Sequence, residues 1–237
     1  MIESSNPYAS PYTVAAQPVD ARSAFIRKTY AHLGGAIAVF ALLEYFFLQS
    51  QAMLNLVAPM MGNWWLVLIV FMGVSWIASK WATSSTSLGM QYAGLALYVV
   101  AEAIIFIPIL YLAVGMTGST VVIGQAGIIT VALFLGITAV AFITKKDFSF
   151  LNSFLMIGGF IALGLIFASM IFGFNLGIIF SAAMAIFASV AILRDTSNII
   201  HHYGTNQYVA ASLGLFASVA LLFWYVLQIL LSLSGRD

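Results

Sequence analysis

Seven times along this chain, about twenty residues pass with at most one charged side chain: 29–48, 62–80, 89–113, 121–143, 149–170, 175–194 and 209–233. This recurrence constrains the fold more than any other feature. A helix rises about 1.5 Å per residue, so roughly 20 apolar residues match the ~30 Å hydrocarbon layer of a bilayer. Backbone N–H and C=O groups find no water there, and only helices or closed barrels satisfy them. The stretches do not alternate apolar and polar residues as barrel strands do. The expected fold is therefore an all-α integral membrane protein, a bundle of seven transmembrane helices occupying residues 25–237. Only 6% of residues are charged, against about 25% in a soluble domain, so the solvent for this surface is a lipid bilayer.

Residues 1–24 differ in composition, being rich in Pro, Ser, Ala, Tyr and Gln without a helical period. They read as a flexible tail. The first apolar stretch is too long for a secretory signal and reads as a retained anchor. Seven of the eight basic residues, Arg22, Arg27, Lys28, Lys80, Lys145, Lys146 and Arg194, fall on one side of the predicted bundle, and Arg236 falls on the other. The positive-inside rule then puts the N-terminus in the cytoplasm. In a bacterial inner membrane the C-terminus would be periplasmic. Trp64 and Trp65 are expected at the outer interface.

Lipid offers no hydrophobic drive between helices, so small residues mark where they pack. Ala210, Gly214 and Ser218 form one such stripe, Ser181, Ala185 and Ser189 another, and Gly158, Gly159 and Gly164 thin the fifth span. No internal repeat is evident, which argues against an inverted-repeat transporter.

The sixth span ends in an adjacent base and acid, "AILRDTSNII" at 191–200. At about 100° per residue, Asp195 shares a face with Ser181, Met184, Ala188 and Ala191, which are mostly small. Arg194 shares its face with the bulkier Phe180, Phe187 and Val190. Asp195 is thus expected to turn into the bundle and Arg194 to snorkel toward head groups. If the helix runs on, Asn198 and His202 extend the Asp195 face into a polar strip. An inward acid there can bind a cation or take up a proton, or simply hydrogen-bond backbone at a helix junction. His201 and His202 point about 100° apart, a poor chelating geometry, and read as solvated loop residues.

Glu102 lies near the middle of the third span, where a charged acid costs about 2.5–3.5 kcal/mol. It is expected to be protonated or to face a polar cavity, and Tyr98 and Gln91 share its face. Pro108 frees the Ile104 carbonyl beyond it. Glu44, near the outer end of the first span, reads as an interfacial carboxylate. In "TKKDFSF", residues 144–150, Asp147 or Ser149 is expected to cap the next helix. No nucleophile–base set, HExxH pair or glycine-rich phosphate loop is present, and a non-enzymatic protein is expected. Cysteine is absent, and the net charge of +1 gives no basic face for nucleic acid.

The segments "FITKKDFSFLNSFLMIGG", "LRDTSNIIHHYGTNQYVAASLGLF" and the "SGRD" end resemble the Bax inhibitor-1/YccA family, its bacterial YccA-type branch most of all. The resemblance implies a seven-helix bundle with the last helix central. It implies one of two activities: binding and restraining the FtsH membrane protease, or a pH-sensitive calcium or cation leak. In leak-forming relatives an aspartate ending the sixth helix pairs with one in the seventh as a pH-sensing latch. Asp195 matches the first. The seventh span has no acid, and the equivalent place falls near Tyr225 and Gln228. The resemblance thus points to Asp195 as gate, Glu102 along the path, and Asn198, His202, Tyr225 and Gln228 around them. A single acid binds calcium weakly, because that ion takes about 6–8 oxygens.

Overall fold

The computed structural model describes residues 13–85 and 87–234. Among them are eight α-helices: α1 Val19–Gln49, α2 Gln51–Gly62, α3 Trp64–Ala82, α4 Leu88–Thr117, α5 Val121–Thr144, α6 Leu151–Phe172, α7 Gly177–His201 and α8 Tyr208–Ser234. All but α2 are long and apolar enough to cross a membrane. The seven-span architecture expected from the sequence is the one observed.

Helix boundaries follow local chemistry. Ser50 ends α1, and its hydroxyl accepts from the Met53 amide to start α2. Ser87 caps α4 in the same way through Met90. α4 and α6 stop at Gly118 and Gly173, whose φ values of 66° and 71° a side chain would strain. The α2 segment reads as part of a connection in the sequence. Its twelve residues make a helix of about 18 Å, too short to span, and Val57 seats it against the bundle.

The chain's start departs from the expected tail. Residues 1–12 of that tail lie outside the described residues. From Thr13 onward the chain is fixed: Val14 is fully buried, and its amide donates to the Tyr203 carbonyl at 2.8 Å. Val14–Ala16 form a 3₁₀ turn, and α1 then begins directly after Pro18. No Gly or Pro interrupts residues 19–28, so the helix extends past the apolar run through its own polar flank.

The starts of α1, α4, α6 and α8 and the ends of α3, α5 and α7 share one end of the bundle. His32 meets Tyr92 at 3.0 Å, Thr13 bridges to Gly204, and the Phe148 amide donates to Ser197. The seven basic residues named above sit toward this end, called here the basic end.

α8 packs against α1, α3, α4, α5 and α7, which makes it central, and α4 is buried to a similar degree. α6 lies at the periphery, packed chiefly on α7. The aromatic core joins α1, α3, α4 and α8. Phe106 sits edge-on to Trp224 at 4.9 Å and to Phe40 at 5.2 Å, and Trp64 stacks on Trp224 at 5.9 Å. Trp64 is therefore a packing residue, and only Trp65 stays exposed. α3 and α4 approach closely at Gly94, where a Cβ would lie 2.5 Å from the Ala78 carbonyl oxygen.

Candidate functional site

The helix carrying Asp195 does run on, to His201, because no Gly or Pro interrupts it before Gly204. Asp195 is 7% exposed, and Ser181, Met184, Ala188 and Ala191 are buried on the same face. The inward direction expected from helical spacing is observed. Its partners differ from those expected. Asp195 Oδ2 accepts from the Ser218 hydroxyl of α8 at 2.5 Å, and Oδ1 accepts from Arg194 Nη1 at 2.6 Å. Arg194 folds back onto its neighbour instead of snorkelling away, because a buried carboxylate offers a stronger partner than water. Phe187, expected to face lipid, packs over Gly158 of α6, where a Cβ would meet its ring at 2.9 Å.

The polar strip is divided. His202 Nε2 pairs with Asp147 at 2.9 Å, and Asn198 uses its backbone carbonyl to accept from His202 and Tyr203. Tyr225 and Gln228 stand away from Asp195. Gln228 accepts from Ser181 at 2.9 Å, and Tyr225 packs with Ala162 and Met184. Asp147 caps no helix by hydrogen bond; it accepts from the Ser149 amide in a tight turn. Burial is the largest single influence and opposes its ionisation, but the His202 and Ser149 hydrogen bonds together outweigh it and hold its carboxyl below the usual value. Tyr203, between α7 and α8, is pushed up to about 12, first by burial and then by the Asp195 charge. Its hydroxyl lies over Gly214, where a Cβ would sit 3.6 Å away.

A cavity of about 710 Å³ connects the two predicted regions. Tyr98 and Glu102 of α4 line it, with Arg194 of α7, Ser218 of α8, and Asn152 and Met156 of α6. Glu102 is buried and its Oε2 has no hydrogen-bond partner. The mid-span acid therefore shares one chamber with both groups that hold Asp195. Glu44 does not snorkel outward as expected: it is 6% exposed, and both carboxyl oxygens lack partners. No group of three His, Cys, Asp or Glu that could hold a metal occurs among the described residues. Both Asp195 carboxylate oxygens are engaged by protein donors.

A family profile described as "Inhibitor of apoptosis-promoting Bax1" matches residues 22–235. The chain belongs to the Bax inhibitor-1 family. It is 34% identical to an uncharacterised Pseudomonas aeruginosa protein over 218 residues, covering 91% of this chain and 92% of that one. It is 32% identical over 222 residues to Bax inhibitor 1 of Schizosaccharomyces pombe, covering 91% and 79%. A Vibrio cholerae protein described as a membrane protein is 32% identical over 131 residues, covering 55% and 58%. This Bax inhibitor-1 family member places a serine, Ser218, opposite Asp195 on its last helix. In the sequence, Ser218 stands out only as part of a stripe of small residues. The signal was there: a hydroxyl among small residues, on a helix whose neighbour turns an acid inward.

Proposed function

We propose that this protein is a pH-responsive cation leak of the bacterial inner membrane, with Asp195 as its gate. The basic end faces the cytoplasm, as the positive-inside rule requires. What supports the reading is the Asp195–Ser218 hydrogen bond at the wall of the chamber that holds Glu102. Ionised Asp195 accepts from both Arg194 and α8, closing the chamber at the basic end. A proton on Asp195 removes the charge that both donors hold, weakens the tie, and frees the two helices to part. Calcium or another cation is cargo on this route, not a resident ligand, and no residue performs covalent chemistry. The test is ion flux into liposomes. Wild-type flux rises as pH falls, and Asp195→Asn abolishes the pH response. Absence of wild-type flux between about pH 6 and 8, the range in which histidines and perturbed carboxyls titrate, would falsify this reading.

A second reading, from likeness to the YccA branch, is a modulator of the FtsH membrane protease. One observation favours it. Thr13 and Val14 are pinned beside Gly204 and Tyr203 at the basic end, the end that would face an ATP-driven protease if it is cytoplasmic. Deleting residues 1–12 should abolish co-purification with an FtsH-type protease and leave liposome flux unchanged. Unaltered proteolysis of membrane substrates when the full-length protein is added would remove this reading.

A further inference from the structure

Lys80 is the only charged residue between Glu44 and Glu102 in the sequence. The ion pairs among the described residues are Arg194–Asp195 and His202–Asp147, so the Lys80 ammonium has no counter-ion among them. It leans back along α3, with Nζ 5.1 Å from the centre of the Trp76 ring one turn earlier. An ammonium held over an indole face is oriented by the ring, and its N–H donors stay available to an anion on the open side.

Beside it lies a cavity of about 510 Å³, at the basic end where α3 gives way to α4. Trp76, Ile77, Trp81 and Met90 form its apolar side, and Lys80 with the hydroxyl-bearing residues 83–85 forms its polar side. The polar side is fixed by its own bonds. The Ser84 amide donates to the Trp81 carbonyl at 3.0 Å, and the Ser84 carbonyl accepts from Nε2 of the buried Gln91 at 2.7 Å. The close approach of Gly94 to Ala78 and Ala82 holds α3 against α4 beside it. Thr83 gives its hydroxyl hydrogen to the Ser79 and Lys80 carbonyls, at 3.0 and 3.1 Å. Toward a ligand Thr83 therefore offers lone pairs and no donor.

These features set three conditions on an occupant. It is negative where it meets Lys80. It carries a donor for the Thr83 oxygen. It has apolar chains to lie along the indoles and Ile77. A soluble anion such as phosphate lacks the third, and a choline head, zwitterionic and without a donor, lacks the first two. A glycerophospholipid with one net negative charge and head-group hydroxyls meets all three. The depth agrees, because indole rings settle at head-group level, and Trp76 and Trp81 stand exposed at the last turns of α3.

We propose that the Lys80 cleft binds one lipid of the phosphatidylglycerol type, its phosphate on Lys80, a head hydroxyl donating to Thr83, and an acyl chain along Trp76 and Trp81. The site is independent of both functional readings above.

The test uses the full chain in mild detergent with equimolar phosphatidylglycerol and phosphatidylcholine, and native mass spectrometry to count retained lipids. Wild type should retain one phosphatidylglycerol in preference to phosphatidylcholine. Lys80→Gln should lower that retention about fivefold, the effect of removing one cation at an anionic head, with helical circular dichroism unchanged. Lys80→Arg, which keeps the charge, should restore it, and Lys145→Gln, on another connection, should leave it as in wild type. Phosphatidylethanol, with the same charge and no head hydroxyl, should be retained less than phosphatidylglycerol, and millimolar inorganic phosphate should displace neither. Equal retention of the glycerol and choline lipids, or wild-type retention by Lys80→Gln, would overturn the site. A loss in Lys145→Gln as large as in Lys80→Gln would show diffuse surface charge in its place. Equal retention of phosphatidylethanol would overturn the Thr83 contact, and displacement by phosphate would overturn the lipid as occupant.

Discussion

Replacing Gly94 by alanine tests the helix seam on which the chamber depends. A Cβ at this position would lie 2.5 Å from the Ala78 carbonyl oxygen, 2.6 Å from the Ala82 amide nitrogen and 3.0 Å from Trp81 Cβ, whereas ordinary contact starts at 3.4 Å. The first two are backbone atoms of α3 and cannot rotate away, so α3 and α4 must separate by close to one ångström. Overpacking of this kind costs about 1–3 kcal/mol, and rigid neighbours place Gly94→Ala near the top of that range. The better helix propensity of alanine returns up to about 1 kcal/mol, for a net loss of roughly 2 kcal/mol. Two other glycines calibrate the measurement. Gly158 meets only the movable Phe187 ring, at 2.9 Å, and Gly159 meets the same ring at 3.9 Å. Gly158→Ala should be near neutral, and Gly159→Ala should gain up to about 1 kcal/mol. Unfolding in mixed micelles of a mild and a denaturing detergent ranks the variants, read by helical circular dichroism. If Gly94→Ala unfolds at the same denaturant fraction as wild type, α3 and α4 do not meet as closely as described, and the seam argument is wrong.

Ser218→Ala removes the hydroxyl that bonds Asp195 at 2.5 Å. Hydrogen bonds to charged groups are worth about 1.5–3 kcal/mol, so the same assay should show a loss of that size, with Ser218→Thr close to wild type. The Asp147–His202 pair should matter little and only above acid pH. Because the folded Asp147 value is depressed, its stabilisation is fully present above the ordinary value of about 3.9 and is lost as pH falls through the folded one. Both partners are about half exposed, so Asp147→Asn should cost no more than about 1 kcal/mol at neutral pH, a difference that closes below about pH 4 in unfolding midpoints measured across pH. Tyr203 runs the other way. Its folded value is raised to about 12, so its contribution is complete below about pH 10 and lost as pH rises through 12. Ultraviolet titration of wild type minus Tyr203→Phe should isolate a phenol that ionises late.

Much of this was legible in the sequence because hydrocarbon imposes one rule, an apolar run of fixed length, and all seven long helices obey it. The inward turn of Asp195 was legible because residues spaced three and four apart along α7 share its face, and most of them are small. Partners were harder to read. Helical spacing gives the direction of a side chain but not the height at which a neighbouring helix meets it, so spacing points to Tyr225 and Gln228 where the structure places Ser218. The burial of Glu44 is not legible in its distance from the end of an apolar run, because α1 starts at Val19 and α2 packs against it. The fixed segment from Thr13 to Pro18 left no periodic signal. The buried Val14, its backbone hydrogen bond to Tyr203 and the Thr13–Gly204 bridge help hold it, and none of these has a sequence period.

The ties around Asp195 are arranged so that one bond controls a large unit. The loop before α6 is fastened to α7 at its basic end: Ser197 accepts from the Phe148 amide and donates to the Lys146 carbonyl, and His202 holds Asp147. Along its length α6 packs chiefly on α7, with Phe187 seated on Gly158. α6 and α7 are therefore coupled to one another more closely than α6 is to the rest of the bundle. Toward α8, α7 makes side-chain hydrogen bonds through Asp195–Ser218 at the basic end and Ser181–Gln228 near the other. Loss of the first leaves the second as a pivot, and the wall that swings carries Asn152, Leu155 and Met156, which face Glu102 across the chamber. On the gating proposed above, a proton at Asp195 would widen a cavity most of whose lining lies on other helices, because the helix that bears it also carries α6.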